Sequence, residues 1–225
     1  LRNEGYKVIL RANDLLINDK TLDEKLLTHF DRQTKLFIDY WFLPSTQREL
    51  MALMMAIQEV MEPSARRFLE LVYSSIIVTK SGGVSRARDL AQSRPHLDVH
   101  KIPKNAIEQF ANRLRKSLNS IAQLNANNAG ALPITADARR MPIEDGVIDL
   151  IVTSPPYANA IDYIRAHKFS LVWSGQSIAN LSGLRNKYIG SERVEYFKHH
   201  ITLPDRPEMI IRKLSERDSA KSMIL

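Results

Sequence analysis

Cysteine is wholly absent from this sequence of 225 residues, and that removes several kinds of chemistry at once. Disulfides and thiolate metal sites are excluded, as is catalysis through a cysteine nucleophile. No apolar run approaches the roughly 20 residues needed to cross a bilayer. No basic start followed by an apolar segment marks a secretory signal, so a cytoplasmic protein without a membrane partner is expected. Internal repeats and low-complexity tracts are also lacking. What is present suits a folded soluble chain: 44% of the residues are hydrophobic and 25% are charged. That is enough for one large domain, or for a core carrying a substantial insertion.

The net charge of +7 favours a polyanionic partner, and it is unevenly placed. Between Arg86 and Lys116 stand eight basic residues against three acids, an excess of five. Such a run is either a solvated face or a phosphate-binding surface, because closely spaced guanidinium groups grip phosphate in bidentate fashion. Arg86, Arg88 and Arg94 are the candidates for that contact.

Hydrophobic spacing predicts a mainly helical first half. Lys7 to Leu10 reads as a short strand-like or connecting piece. Residues 22–30 read as helix, followed by an aromatic-rich stretch from Leu36 that stops at Pro44. Leu50, Leu53, Met54 and Ile57 then follow helical spacing, with Ser45 or Thr46 available as a cap. Another helix starts at Pro63. Met51, Met54 and Met55 are expected as core filler. Gly82-Gly83 breaks the pattern, residues 81–103 read as loop or short turns, and residues 105–124 return to helix. The stretch Asn125 to Gly130 is the best boundary in the chain. Beyond it a strand is expected near Ile134, a turn at Glu144-Asp145-Gly146, and a second strand over Ile148 to Val152. A helix over 161–173, a loop rich in Gly, Ser and Asn, and a last helix from about Pro207 complete the pattern.

The most informative segment is Ile148-Asp149-Leu150-Ile151-Val152-Thr153-Ser154-Pro155-Pro156-Tyr157. Its apolar, β-branched start predicts a buried strand, and two prolines force the chain out of a sheet where it meets them. In an open parallel sheet, ligands bind beyond the carboxyl ends of the strands. A serine, two rigid carbonyl-bearing residues and a tyrosine at such an end suit a flat, polar substrate. An ordinary turn is the plain alternative.

This segment, with Asn159, Asp162 and Tyr163 and the run Arg165-Ala166-His167-Lys168, resembles the S-adenosylmethionine-dependent DNA amino-methyltransferases. Those enzymes modify N4 of cytosine or N6 of adenine through a Ser/Asp/Asn-Pro-Pro-Tyr/Phe motif. Ile134-Thr135-Ala136-Asp137 resembles the acidic strand end preceding that motif. Residues 79–96 resemble a segment inserted between the cofactor and catalytic halves of some members. The resemblance implies an α/β fold: a partial Rossmann-like methyltransferase sheet with a large helical insertion. Residues 1–20 would be a remnant of the cofactor-side core, 21–128 the insertion and possible target-recognition region, and 129–225 the catalytic half.

It also implies roles. Ser154, Pro155, Pro156 and Tyr157 would be catalytic, and Asp137 and Thr153 would contact S-adenosylmethionine. Asn159, Asp162, Tyr163, Arg165 and Lys168 would line the pocket or face DNA. The Ser154 side chain and the Pro155 carbonyl would accept from the amine hydrogens and localise its lone pair, favouring the charge that develops during transfer. Tyr157 would stack on a base flipped out of the duplex. Serine at the first motif position leans toward cytosine N4, and the absence of cysteine excludes the thiolate-dependent C5 route. His167 reads as a structural hydrogen-bonding residue. His199-His200 lacks a third ligand in view, and no metal is expected.

The chain departs from the family in one respect that matters. No Phe-x-Gly-x-Gly-type loop occurs in it, and Gly82-Gly83 sits in the wrong context. Two strands cannot form a stable doubly wound sheet, so a middle piece is expected, whether a fragment, a split subunit, an incompletely ordered protein or a degenerate homologue. Its partners would be DNA and either the missing methyltransferase segments or a complementary subunit. The alternatives are an accessory nucleic-acid-binding subunit, an RNA amino-methyltransferase and a purely structural or regulatory protein. A link to restriction-modification stays open.

Overall fold

The computed structural model describes residues 1–18, 21–77, 83–88, 95–124, 130–137, 140–154 and 163–185, together with 209, 212 and 213. Eight helices and one short hairpin lie within these residues. They are α1 (Arg2–Asn18), α2 (Leu22–His29), α3 (Arg32–Trp41), α4 (Pro44–Gln58), α5 (Pro63–Ile77), β1 (Ala87–Arg88), β2 (His96–Leu97), α6 (Ala106–Leu124), α7 (Tyr163–Trp173) and α8 (Ile178–Arg185). The protein is therefore mixed α/β but mostly helical. Among the described residues the only sheet is the antiparallel pair β1–β2, with Ala87 opposite Leu97 and Arg88 opposite His96. The Rossmann-like sheet expected from the resemblance does not appear in them.

Helix α4 organises the core. It buries Leu50, Met51, Ala52, Leu53, Met54, Ala56 and Ile57 together with Thr46 and Gln47, so it is apolar on nearly every side. A helix of that kind belongs in the middle of a bundle, and α1, α2, α5 and α6 all pack on it. Met51 and Met54 are buried there, in keeping with their expected role as filler. Pro44 takes the first helical position and Leu43 the N-cap, with no side-chain cap bond. The Ser45 or Thr46 cap expected from sequence is therefore displaced by one turn-starting proline, which needs no amide partner at that point.

Residues 7–10, expected as a strand-like piece, lie inside α1. Gly5, Val8, Ala12 and Leu15 are its buried positions, a spacing of three and four residues that marks a helix face. Gly5 allows α1 to approach α6 closely, since a Cβ there would collide with the δ-carbons of Leu114.

Helix α7 is joined to α2 and α3 by aromatic contacts. Phe169 meets Phe37 and Trp41 with ring centroids 5.1 Å apart in each case. Trp173 meets Phe30 at 5.3 Å and Phe42 at 5.6 Å. Edge-to-face pairs at these separations each add about 0.5–1.5 kcal/mol beyond simple burial. Helix α8 was read as part of a Gly/Ser/Asn-rich loop. Ser177 caps it by accepting from the Asn180 amide at 3.2 Å, the Ile178 amide donates to Thr34 Oγ1 at 3.0 Å, and Leu181 is buried. One hydrophobic cluster thus runs from Val8 through α2–α6 to Phe169, Trp173 and Leu181.

Candidate functional site

The stretch before Ser154 has a different character from the bundle. Residues 147–154 contain no strand, although strand was the expectation for 148–152. Ile148, Leu150, Ile151 and Val152 are 51%, 78%, 73% and 86% exposed. One face of this run, Ile148, Leu150 and Val152, is wholly apolar and the other carries Asp149 beside Ile151, and neither is covered by a described residue to any large extent. The strand expected near Ile134 is likewise missing; the nearest ladder feature is an isolated bridge in which the Arg140 amide donates to the Asp137 carbonyl at 2.9 Å. The physical reason is shared. A strand needs a hydrogen-bonded neighbour, and no described segment lies alongside either run as one.

Thr153 and Ser154 are exposed at the end of this stretch. Pro155, Pro156, Tyr157, Asn159 and Asp162 fall outside the described residues, as do Arg94, His199 and His200. The backbones of Tyr163 and Arg165 lie in α7, but their side chains are outside the described set. Lys168 is half-buried, with Nζ 4.6 Å from the centroid of the Phe37 ring, a cation–π arrangement. The His167 carbonyl accepts from Ser170 Oγ at 3.0 Å.

Two of the three arginines considered for phosphate, Arg86 and Arg88, are engaged with the protein. Arg86 Nη2 donates to the carbonyls of Tyr40 at 2.6 Å and Asp39 at 3.3 Å, and the Arg86 amide donates to the Trp41 carbonyl at 2.8 Å. A cation at the last carbonyls of a helix meets their unpaired acceptors and the negative end of the dipole. Arg86 is thus the anchor that seats the hairpin on α3. Arg88 pairs with Asp98 at 2.6 Å, with side chains 68% and 13% exposed respectively. Nearby, Lys101 Nζ donates to the Ala87 carbonyl at 2.8 Å, and burial lowers its pKa from the usual lysine value.

A basic surface that sequence reading passed over lies between α1 and α6. Arg2, Tyr6, Arg115 and Asn119 line a groove of about 300 Å³ floored by Ile9, Leu114 and Leu118. Arg115 Nη2 accepts orientation from Asn112 by donating to its Oδ1 at 2.9 Å, which leaves other donors of that guanidinium for a ligand. The clue in the sequence was the close-set Arg113, Arg115 and Lys116. What the sequence could not supply was Arg2 and Tyr6, brought alongside only by packing of α1 on α6.

The described residues do not fit S-adenosylmethionine as a complete cradle. Asp137 and Thr153 are both exposed, and the sequence lacks the glycine loop that would wrap the donor. No group of three or more His, Asp or Glu able to hold a metal occurs among the described residues. No helix among them is long and apolar enough to cross a membrane. No protein-family model, curated protein or solved structure matches this chain.

Proposed function

We propose that this chain supplies the base-engaging element of a DNA amino-methyltransferase, acting on an exocyclic amine with cytosine N4 favoured over adenine N6. The observation that carries this reading is the run Thr153-Ser154-Pro155-Pro156-Tyr157 at the end of an apolar segment built for a sheet interior. Strands with hydrophobic residues on both faces belong in parallel sheets covered on each side. The exposed Ile148 to Val152 run, apolar but for Asp149, follows that pattern in part and has no strand neighbour among the described residues.

In this reading the chain's own residues prepare the base. Ser154 and the Pro155 carbonyl accept from the amine, Tyr157 stacks on the extruded ring, and the prolines keep the acceptors in place with little reorganisation. S-adenosylmethionine supplies the methyl group, and its binding surface comes from a complementary segment or subunit. The test is incubation with radiolabelled S-adenosylmethionine and duplex DNA or RNA, followed by nucleoside identification. The chain would be assayed alone and with the full-length gene product in parallel. Label on N4-methylcytosine or N6-methyladenine, lost in Tyr157→Ala, is the expected result. Label on RNA alone would move the substrate to RNA, and turnover unchanged in Tyr157→Ala would remove Tyr157 from the mechanism.

A second reading is an accessory nucleic-acid-binding subunit. The missing glycine loop and the Arg2–Tyr6–Arg115 groove favour it. DNA binding without methylation by either protein would select it.

A further inference from the structure

Helices α1 and α6 pack against each other and leave a groove of about 300 Å³ between them. Its floor is closed: Leu114 is 3% exposed, and Ile9 and Leu118 are half-buried. The accessible chemistry is therefore at the rim. Tyr6 is 58% exposed, and Arg2, Arg115 and Asn119 are exposed too. The side chains of Arg2, Tyr6 and Asn119 make no hydrogen bond, ion pair or ring contact among the described residues. Arg115 is oriented by Asn112, whose Oδ1 accepts from Nη2 at 2.9 Å. No acid lines the groove. Of the acids on the two helices, Glu4 and Asp14 are paired with Lys7 and Arg11, and Glu108 stands in the first turn of α6.

We infer that this groove holds a nucleotide of a single-stranded nucleic acid, with the base on the Tyr6 ring and the phosphates on Arg2 and Arg115. Guanidinium groups grip phosphate without reading sequence. An aromatic side chain in a positive groove is the usual platform for an unpaired base. The Asn119 amide, donor and acceptor at once, suits the polar edge of that base. A paired base has both faces covered by its neighbours in the stack, so Tyr6 selects the single strand over the duplex. An acidic amphipathic helix would also meet the arginines. It needs an open apolar floor for its own apolar face, and Leu114 closes this one. The volume lies at the lower end of the range for small-ligand sites, which suits one nucleotide rather than several. The inference rests on the nucleic-acid-binding reading and uses none of the residues 153–157.

The test is fluorescence anisotropy with the whole chain and a labelled mixed-sequence DNA strand, alone and annealed to its complement. Tighter binding to the single strand than to the duplex is expected. Tyr6→Leu keeps an apolar side chain but removes the ring, and should weaken single-strand binding about tenfold. Tyr6→Phe keeps the ring and should bind like wild type. Arg2→Ala and Arg115→Ala should each flatten the salt dependence by about one counterion. All three positions are exposed, so the variants keep the fold, which circular dichroism checks. Single-strand binding unchanged in Tyr6→Leu, or lost equally in Tyr6→Phe, would overturn the stacking role. Binding to duplex alone, insensitive to Tyr6→Leu, would overturn this inference and leave the nucleic-acid-binding reading standing. Absence of binding to either form would overturn both.

Discussion

The helical bundle and the segment 130–154 contain similar kinds of apolar residue and treat them in opposite ways. In α4, Leu50, Met51 and Leu53 are buried because a helix satisfies its own backbone and needs only neighbours for its side chains. In residues 148–152 the apolar side chains stay exposed. A strand must find its backbone partners outside itself before its faces can be covered. Helical hydrophobicity can therefore be used locally, whereas strand hydrophobicity is left over when the rest of a sheet is not alongside. That contrast separates the well-formed core from the apolar run 148–152 that precedes the Ser-Pro-Pro-Tyr motif.

The largest expected effect separates the two regions by truncation. Phe169→Ala and Trp173→Ala should each cost about 3–5 kcal/mol in urea unfolding, the range for large aromatic side chains removed from a packed core. Ile151→Ala and Val152→Ala should stay within about 0.5 kcal/mol. Amide exchange on the same protein should be slowest in α4 and fast across 147–154. A cost of several kcal/mol at Val152, or slow exchange there, would mean that the segment finds a partner in solution and would break the contrast.

Arg86 gives the next largest effect. Arg86→Ala removes charge-assisted hydrogen bonds to the carbonyls ending α3 and should cost about 2 kcal/mol, read as a fall in the urea midpoint. It should also loosen the hairpin. Arg115→Ala should leave stability near wild type and, on the proposed nucleic-acid-binding reading, reduce the salt dependence of that binding by about one counterion. Reversal of these two outcomes would make Arg86 the nucleic-acid contact and Arg115 the structural one.

The smallest effect is a pH dependence at the start of α3. Asp31 accepts from the Thr34 hydroxyl at 2.6 Å and the Thr34 amide at 3.0 Å, and these bonds hold its carboxyl below the ordinary value of 3.8. A lowered folded-state pKa means that the stabilisation is fully present above the unfolded value. It is lost as the pH falls through the lower folded value. Asp31→Asn should flatten that acid limb of a stability–pH curve and slightly lower stability at neutral pH, because the neutral amide lacks the charge that strengthens the bonds from Thr34. An acid limb unchanged by the substitution would remove Asp31 as its source.

Most of the bundle was legible in the sequence. Leu50, Leu53, Met54 and Ile57, the start at Pro63, and Ile107, Phe110 and Leu114 carry strong helical spacing, and the structure buries them. Helix α1 was missed because the short run Lys7 to Leu10 hid the longer spacing from Gly5 to Leu15. Helix α8 was missed because Ser182 and Gly183 have low helix propensity, although Ser177 offered a cap signal. The candidate site was legible only as a motif. Its strand depended on neighbours that sequence-local patterns cannot provide, and Tyr157 and both prolines fall outside the described residues.

The sequence alone determined where helices α2, α4, α5, α6 and α7 form, that no cysteine chemistry operates, and that a Ser-Pro-Pro-Tyr run follows an apolar segment. These follow from local periodicity, composition and the fixed geometry of proline. Only the tertiary structure decided that Arg86 binds the end of α3, that α7 completes the aromatic core, and that Arg2 stands beside Arg115. It likewise decided that Trp173 is buried with its N–H unpaired among the described residues. Those outcomes depend on residues far apart in the chain meeting across a packed core, where burial and hydrogen bonding act on neighbours in space.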